Sequence, residues 1–487
     1  MSIARLRAQW CPSIPRELLA GAVATFALIP EVIAFSFVAG VDPAVGLFAS
    51  FVISLVIAFT GGRPAMISAA AGSVALVAAP LVQSHGLPYL LAAGVLAGVV
   101  QIIFGLLRLG VLMRFVSSSV RTGFVNALAI LIFSAQLPHL QAANSTTWGM
   151  LALGLVLIYG LPRLPLALFR TIPSPLICIV VLTTLSLALD LPLATVADLG
   201  QLPDALPLFA WPGVPLTLET LRLIALPALA IAMVGLLESM MTASVVDEMT
   251  DTPSSKNREC AGLGVANIAA SLFGGIAGCG MIGQTVSNVK YGGRGRLSTL
   301  FAGVFLLVLM VLLKPWISQV PVVALVAIMV MVSASTFDWG SVRTLVRHPR
   351  TSSIIMLATV ALTWATHNLA AGVAIGVVLS GVFFSFKVAR LLEVRADDDS
   401  HSGVRTWQVS GQVFFASADA FIDAFDVLGA AGRSVRIDVR QAHFWDVTAV
   451  AALDKVAQRL RHHGCTVEIV GLNQASAVLI DRLTPGH

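Results

Sequence analysis

The chain is built from a succession of apolar runs, each near the length of a helix that crosses a lipid bilayer. A hydrocarbon core of about 30 Å takes about 20 helical residues to cross. Fourteen candidate runs occupy roughly residues 18–38, 43–60, 65–83, 87–107, 117–137, 148–166, 173–190, 221–243, 260–274, 282–291, 297–314, 320–336, 353–367 and 369–391. Only 11% of the 487 residues are Asp, Glu, Lys or Arg, and 57% are hydrophobic. An average soluble protein has about 25% charged residues. Such a chain cannot coat a globule with polar surface, so lipid must solvate its bulk. This excludes a soluble enzyme, a nucleic-acid binder and a disordered protein. The net charge of +5 does not point to nucleic acid, because the basic residues sit at the ends of apolar runs.

The loop charges give a sidedness. Lys and Arg collect on the cytoplasmic side of membrane proteins. They follow the even-numbered runs: Arg63, Arg108 and Arg114, Arg163 and Arg170, Lys256 and Arg258, Lys290, Arg294 and Arg296, then Arg343, Arg347 and Arg350. Connections after odd-numbered runs carry Asp42, His85, His139, Asp190, Asp198, Asp204, Glu219 and His367, with Arg222 and Lys314 as their few cations. The alternation predicts an even number of spans with both termini cytoplasmic. Arg5, Arg7 and Arg16 before the first run resemble the start of a signal peptide. No cleavage site in a polar region follows, so the run reads as a first span.

Metal and nucleophile motifs are lacking. Cys11, Cys178, Cys260, Cys279 and Cys465 are odd in number and scattered, which argues against a disulfide framework or zinc site. There is no HExxH, GxSxG or Walker A motif. No cofactor and no enzymatic activity are expected.

An internal repeat organises the membrane part. The first run reads FALIPEVIAFS and the eighth MVGLLESMMTAS, each with a mid-run carboxylate, Glu31 and Glu238. The third reads GGRPAMISAAAGS and the tenth GGIAGCGMIGQTVSN, each with a Gly pair and then Met-Ile. The glutamates are 207 apart and the Met-Ile pairs 215 apart. Seven runs separate each pair, so the second copy enters from the opposite face. That is an inverted-topology repeat, a feature of many secondary transporters.

Runs three and ten are short and rich in Gly, Ala and Pro. Interrupted segments at matching places in two halves point to a binding site. If each is an extended stretch followed by a half-helix, two helix N-termini meet near the midplane. Each offers unpaired N–H groups and about half a positive charge, and the pair suits an anion. The candidate anion-binding residues are Ser68, Ala69, Ala70, Ala71 and Gly72 on one side. On the other they are Gly280, Met281, Ile282, Gly283, Gln284 and Thr285. Close helix packing is the competing use of such small residues.

A carboxylate in mid-membrane is costly, by roughly 2.5–3.5 kcal/mol, and is functional by default. Glu238, with Thr242 one turn later on the same face, is suited to hold a proton or sodium. Glu31 follows Pro30 and shares the candidate coupling role; its competing use is to satisfy a carbonyl freed by Pro30. Asn126, Gln136 and Asn288 read as helix-to-helix hydrogen bonds, Arg121 as a snorkelling end residue, and Asp247–Glu259 as a solvated loop.

After Arg390 the composition changes. LLEVRADDDSHSG reads as a linker. TWQVSGQVFFAS reads as two short strands and SADAFIDAFDVLGAAG as a helix. SVRIDVR is a strand, VTAVAALDKVAQRLRHHG a helix, CTVEIVGL a strand and NQASAVLIDRL a last helix. Alternating strands and helices predict a small α/β domain.

Two stretches resemble a known family: ALIPEVIAFSFVAGVDPAVGLFAS, similar to its opening signature, and NRECAGLGVANIAASLFGGIAGCGMIGQTVSNVKYGGRGRLS, similar to its most specific block. The chain resembles the sulfate permease (SulP), or solute carrier 26, anion transporters over almost its whole length. Its C-terminal part resembles their sulfate transporter and anti-sigma factor antagonist (STAS) domain. The resemblance implies an α-helical polytopic protein of 14 segments in a 7+7 inverted repeat. It implies a transport domain over 1–392, a linker over 393–403 and a STAS domain over 404–487. It also implies a core of segments 1–4 and 8–11, a gate of segments 5–7 and 12–14, alternating access and a homodimer.

In sodium-coupled bicarbonate members an acid and a Thr one turn later on segment eight hold the cation, and Glu238 and Thr242 match that pair. Many members have Arg where this chain has Gln284. Loss of that fixed charge favours symport, with a proton or cation as the compensating charge. The STAS loop here reads Asp446, Val447, Thr448, Ala449 in place of Asp-Ser-Ser-Gly. Val447 cannot be phosphorylated, so the domain reads as an assembly, folding or regulatory module. The expectation is proton-coupled symport of a small anion: a dicarboxylate, bicarbonate or sulfate. Sodium-coupled bicarbonate symport and an uncoupled exchanger or channel are the alternatives.

Overall fold

The computed structural model describes residues 9–10, 12–111, 116–141, 144–163, 173–199, 207–345, 350–398, 404–473 and 476. Arg5, Arg7, Cys11, Arg114, Pro165, Arg170, Asp204, Arg347 and most of the expected last helix lie outside the described residues. Each of the fourteen apolar runs holds a helix. In the first half these are α1 (Ile14–Ala39), α2 (Pro43–Thr60), α3 (Gly72–His85), α4 (Leu87–Leu106), α5 (Ser118–Ser134), α6 (Ser145–Gly160) and α7 (Ser174–Ala188). In the second half they are α8 (Leu218–Thr250), α9 (Lys256–Leu272), α10 (Ile282–Lys290), α11 (Arg296–Ile317), α12 (Val322–Thr336), α13 (Arg350–Thr366) and α14 (Leu369–Ala389). Among the described residues, eight helical stretches are long and apolar enough to cross a membrane.

Local chemistry sets the ends. Proline opens α1, α2, α4 and α7, where its missing N–H costs nothing. Gly40 closes α1 in the left-handed region at φ 74°, which glycine adopts without strain. Thr217 caps α8, accepting from the Thr220 N–H at 3.2 Å. This helix runs 33 residues to Thr250, seven past its expected end. Asp247 is therefore helical, and α9 already contains Glu259. The expected solvated loop shrinks to residues 251–255, because both acids have buried partners described below.

Helices α4 and α9 cross with their backbones in contact. A Cβ added at Gly98 would sit 2.5 Å from the Gly264 carbonyl oxygen and 2.6 Å from the Ile268 side chain. One added at Gly105 would sit 2.7 Å from the Ala261 nitrogen. Small residues at such seams let membrane helices pack closely. Gly98→Val should therefore cost about 1–3 kcal/mol by overpacking. Thermal unfolding in detergent should show a lower midpoint than Val99→Ala, which alters an exposed neighbour.

Two short extended segments break the helical pattern. Strand β1 (Ser68–Ala70) leads into α3, and β2 (Gly278–Gly280) into α10. They pair antiparallel, with Ser68 opposite Gly280 and Ala70 opposite Gly278. The two strand-to-half-helix units are thus offset by 210 residues. The Met-Ile match at 215 is not the structural equivalence: Met66 precedes its strand and Met281 follows its own.

Two compact units divide the chain, residues 1–377 and 378–487, with the boundary inside α14. The second holds a sheet of order β3-β4-β5-β6, with β3 (Glu393–Asp398), β4 (Arg405–Val413), β5 (Ser434–Phe444) and β6 (Thr466–Val470). The first pair is antiparallel and the others parallel. Helices α15 (Ala418–Asp423) and α16 (Val447–His462) belong to the same unit. Trp407, Phe421, Ile437 and Leu460 lie in its core. The expected linker thus contains an edge strand. Charged residues on an edge strand discourage further pairing, and here Glu393, Arg395 and Asp397 gave the segment a linker's composition. The two strands expected in TWQVSGQVFFAS are one, with a register shift between Gln408 and Ser410.

Candidate functional site

The two extended segments are held by hydroxyl and amide side chains from neighbouring helices. On α2, Ser54 donates to the Ser68 carbonyl at 2.8 Å, and Ser50 accepts from the Ala70 N–H at 3.2 Å. On α8, Ser239 accepts from the Gly280 N–H at 2.8 Å, and Thr242 donates to the Gly280 carbonyl at 2.8 Å. On α9, Asn267 takes the Gly278 N–H at 2.9 Å, and its amide also donates to Gln101 at 2.9 Å. Thr285 accepts from the Ile67 N–H at 2.9 Å, and the Met281 N–H donates to the Ile67 carbonyl at 2.8 Å. The Thr285 hydroxyl therefore joins the two units to each other.

The half-helices begin without side-chain caps. Ala71 precedes α3 and Met281 precedes α10, both in extended conformation, and neither side chain caps its helix. First-turn N–H groups have no intrahelical acceptor. The two ends differ in access. Gly72 is buried, and a Cβ there would lie 2.6 Å from the Phe35 ring. Gly283 is exposed, and a Cβ there would meet nothing within 4 Å. Ser68, Ala69, Ala70, Ala71 and Gln284 are buried, and Ile282 is partly so.

The acids reach across the repeat. Glu238, on α8, accepts from the Ser73 hydroxyl in the first turn of α3. The same oxygen accepts from the Cys279 thiol on β2 at 3.1 Å. Glu31, on α1, lies near enough to the Gln284 side chain, in the first turn of α10, for the two to interact. Each repeat's acid thus meets the opening turn of the other repeat's half-helix. Thr242 donates to the Glu238 backbone carbonyl at 2.9 Å as well as to Gly280. Its hydroxyl is on the expected face, with its one hydrogen shared between these two carbonyls. Ser73 and Cys279 were missed in the sequence. Ser73 adjoins the predicted stretch ending at Gly72; Cys279 carried no signal except its place between two glycines.

A second buried network lies at the other end of these segments. Glu259 accepts from the Gly62 and Arg63 N–H groups at 2.7 and 3.1 Å. Arg296 donates to the Ala58 and Gly61 carbonyls at 2.8 and 2.7 Å. Arg63 pairs with Asp247 at 3.1 Å, and Lys256 with the same acid at 2.9 Å. Burial pulls the Arg63 guanidinium below its usual range, and Asp247 opposes that shift. Glu17 accepts from the N–H groups of Arg294 and Gly295 at 2.8 Å and of Ser298 at 3.1 Å, at the start of α11. Of the polar residues expected to link helices, Asn126 bonds Ser341 and Asn288 bonds Ala65 and Ser298, whereas Gln136 bonds its own helix at Ile132.

An apolar helical bundle with paired half-helices led in by antiparallel strands and an acid at each opening, Glu238 buried and Glu31 half-buried, is a polytopic membrane transporter of the inverted-repeat kind. The sulfate permease family model matches residues 14–149 and 139–359, and the STAS domain model matches 395–484. The chain belongs to the sulfate permease family of anion transporters and carries a C-terminal STAS domain. It is 48% identical over 478 residues to the "Putative sulfate transporter YbaR" of Bacillus subtilis (strain 168), covering 98% of each chain. It is 25% identical over 484 residues to the bicarbonate transporter BicA of Synechocystis, covering 90% of this chain and 85% of that one. The fold matches the murine solute carrier 26 family member A9 anion transporter, solved in the inward-facing state, with a TM-score of 0.83 at 17% identity. That match covers 99% of this chain and 91% of the other.

Proposed function

We propose that the chain is a secondary active carrier of a small anion, of the sulfate, bicarbonate or dicarboxylate class, driven by proton symport. The observation that carries this reading is the Glu238 carboxyl, which takes hydrogen bonds from both strand-to-half-helix units, through Ser73 and Cys279. Its protonation state is thereby linked to the geometry of both helix N-termini. The anion lies against the first-turn N–H groups that follow Ala71 and Met281, with Ser68, Ala70, Gly72 and Gly280 to Thr285 around it. Gly283 is the open approach. Glu238 and Thr242 form the coupling site, and Glu31 acts on the opposite half-helix through Gln284. Segments 1–4 and 8–11 move as a core against a gate of segments 5–7 and 12–14. The carrier works as a homodimer in a bacterial inner membrane with both termini cytoplasmic, an orientation that rests on the loop charges. The names of its relatives support sulfate and bicarbonate as substrates.

Proteoliposomes test this with labelled sulfate, bicarbonate and succinate in turn. One proton per anion charge makes the step electroneutral, so a one-unit pH gradient supports about tenfold accumulation of bicarbonate and about a hundredfold of sulfate or succinate. That accumulation is expected without sodium. Accumulation that requires a sodium gradient and ignores pH overturns the proton reading.

A further inference from the structure

One carboxylate oxygen of Glu238 is held by donors from both strand-to-half-helix units. That oxygen, Oε2, receives both the Ser73 O–H and the Cys279 S–H. Thr242, one turn on, directs its hydroxyl at the carbonyls of Glu238 itself and of Gly280. Ser239, the next hydroxyl along α8, is an acceptor for the Gly280 N–H. Ser73 and Cys279 are both buried. Hard cations need a shell of oxygen ligands, such as unwound backbone carbonyls and carboxylates. A neutral thiol is a soft ligand, poorly matched to them. Of the two groups that touch Glu238 Oε2, one is a hydroxyl and the other is sulfur.

We propose that Cys279 sets the ion selectivity of the coupling site, placing a soft thiol against the Glu238 carboxylate where a sodium shell needs an oxygen, so that sodium is turned away. The proposal rests on Glu238 being the coupling residue. It makes Cys279 a specificity-determining position. Replacing its sulfur by a hydroxyl oxygen keeps a donor of similar size and supplies a hard ligand beside the carboxylate.

The test needs no transport. Full-length protein is purified, and its thermal unfolding midpoint is compared in sodium chloride and in choline chloride at equal concentration. A ligand that binds only the folded state raises the midpoint. The wild type is expected to unfold at the same temperature in both salts. Cys279→Ser is expected to gain about 2 °C or more in sodium. A sodium-dependent shift in the wild type, or none in Cys279→Ser, overturns the proposal.

A second measurement keeps it falsifiable if Cys279→Ser does not fold. The S–H stretch of Cys279 is identified in the infrared as the band lost in Cys279→Ala. It should shift in Glu238→Gln, and an unmoved band overturns the contact on which the proposal stands. Failure of pH-driven uptake is read separately in proteoliposomes, so the two readings fall by different results.

Discussion

Proteoliposomes carrying Glu238→Gln are expected to lose accumulation against a gradient, from about tenfold for a monovalent or about a hundredfold for a divalent anion under one pH unit to about one. The reason lies in what the amide keeps and what it lacks. Gln has the length and volume of a protonated Glu. Its carbonyl oxygen still accepts from Ser73 and Cys279, the two partners of Oε2. The half-helices therefore stay in place and the protein folds. The amide cannot release a proton, so the site is held in one charge state through the cycle. Exchange of labelled for unlabelled anion should persist, because it needs only the loaded carrier to reorient. Glu238→Ala is a different experiment, since it leaves two buried donors unpaired at about 1–3 kcal/mol. Wild-type accumulation in Glu238→Gln removes Glu238 from the coupling mechanism. Accumulation and exchange lost together point to misplaced half-helices, which circular dichroism and the unfolding midpoint will report.

The sequence made this residue visible because an acid in an apolar run has few structural uses. The same reasoning found runs three and ten, whose Gly and Ala content suits neither a simple span nor a loop. Their form followed: a short extended piece, then a half-helix. What the chain could not show was which side chains meet. Ser73 lies 165 residues from Glu238, and only the antiparallel pairing of β1 with β2 brings it there. Sequence likeness also misled the alignment of the halves. Met-Ile recurs at 215, yet the elements recur at 210, because packing preserves the place of a strand rather than a dipeptide. Charge counting reads the side of the membrane and is blind to burial. Glu259 sits beside an apolar run and therefore resembled a loop charge, while Glu17, just before the first run, carries no signal of burial. Both are buried because backbone N–H groups at the starts of α11 and the segment after α2 need acceptors there. The edge strand β3 was hidden in the same way, by charges that protect an edge.

Glu259→Ala is expected to be the most destabilising of these substitutions, at about 3–5 kcal/mol, the usual cost of removing one partner from a buried charge network. Glu259 is fully buried, at 0% exposure, and Arg296 is 5% exposed. The acid accepts two backbone N–H groups, those of Gly62 and Arg63, and Arg296 acts on it electrostatically. Alanine leaves both donors without an acceptor and the guanidinium without its nearby counter-charge. Arg296 cannot withdraw to water cheaply, because it also holds the carbonyls of Ala58 and Gly61. Those residues end α2 and begin the segment that leads to Ser68, so the damage reaches β1 and the opening of α3. Thermal unfolding in detergent checks the size. Glu219→Ala, at the exposed start of α8, should stay within about 0.5 kcal/mol of the wild type. Glu259→Gln should fall between the two, since its amide oxygen still accepts from Gly62 while the charge is gone. Equal midpoints for Glu259→Ala and Glu219→Ala would show that the Gly62–Arg63 turn is held by other contacts. The Arg63 pair with Asp247 would then be the next anchor to remove.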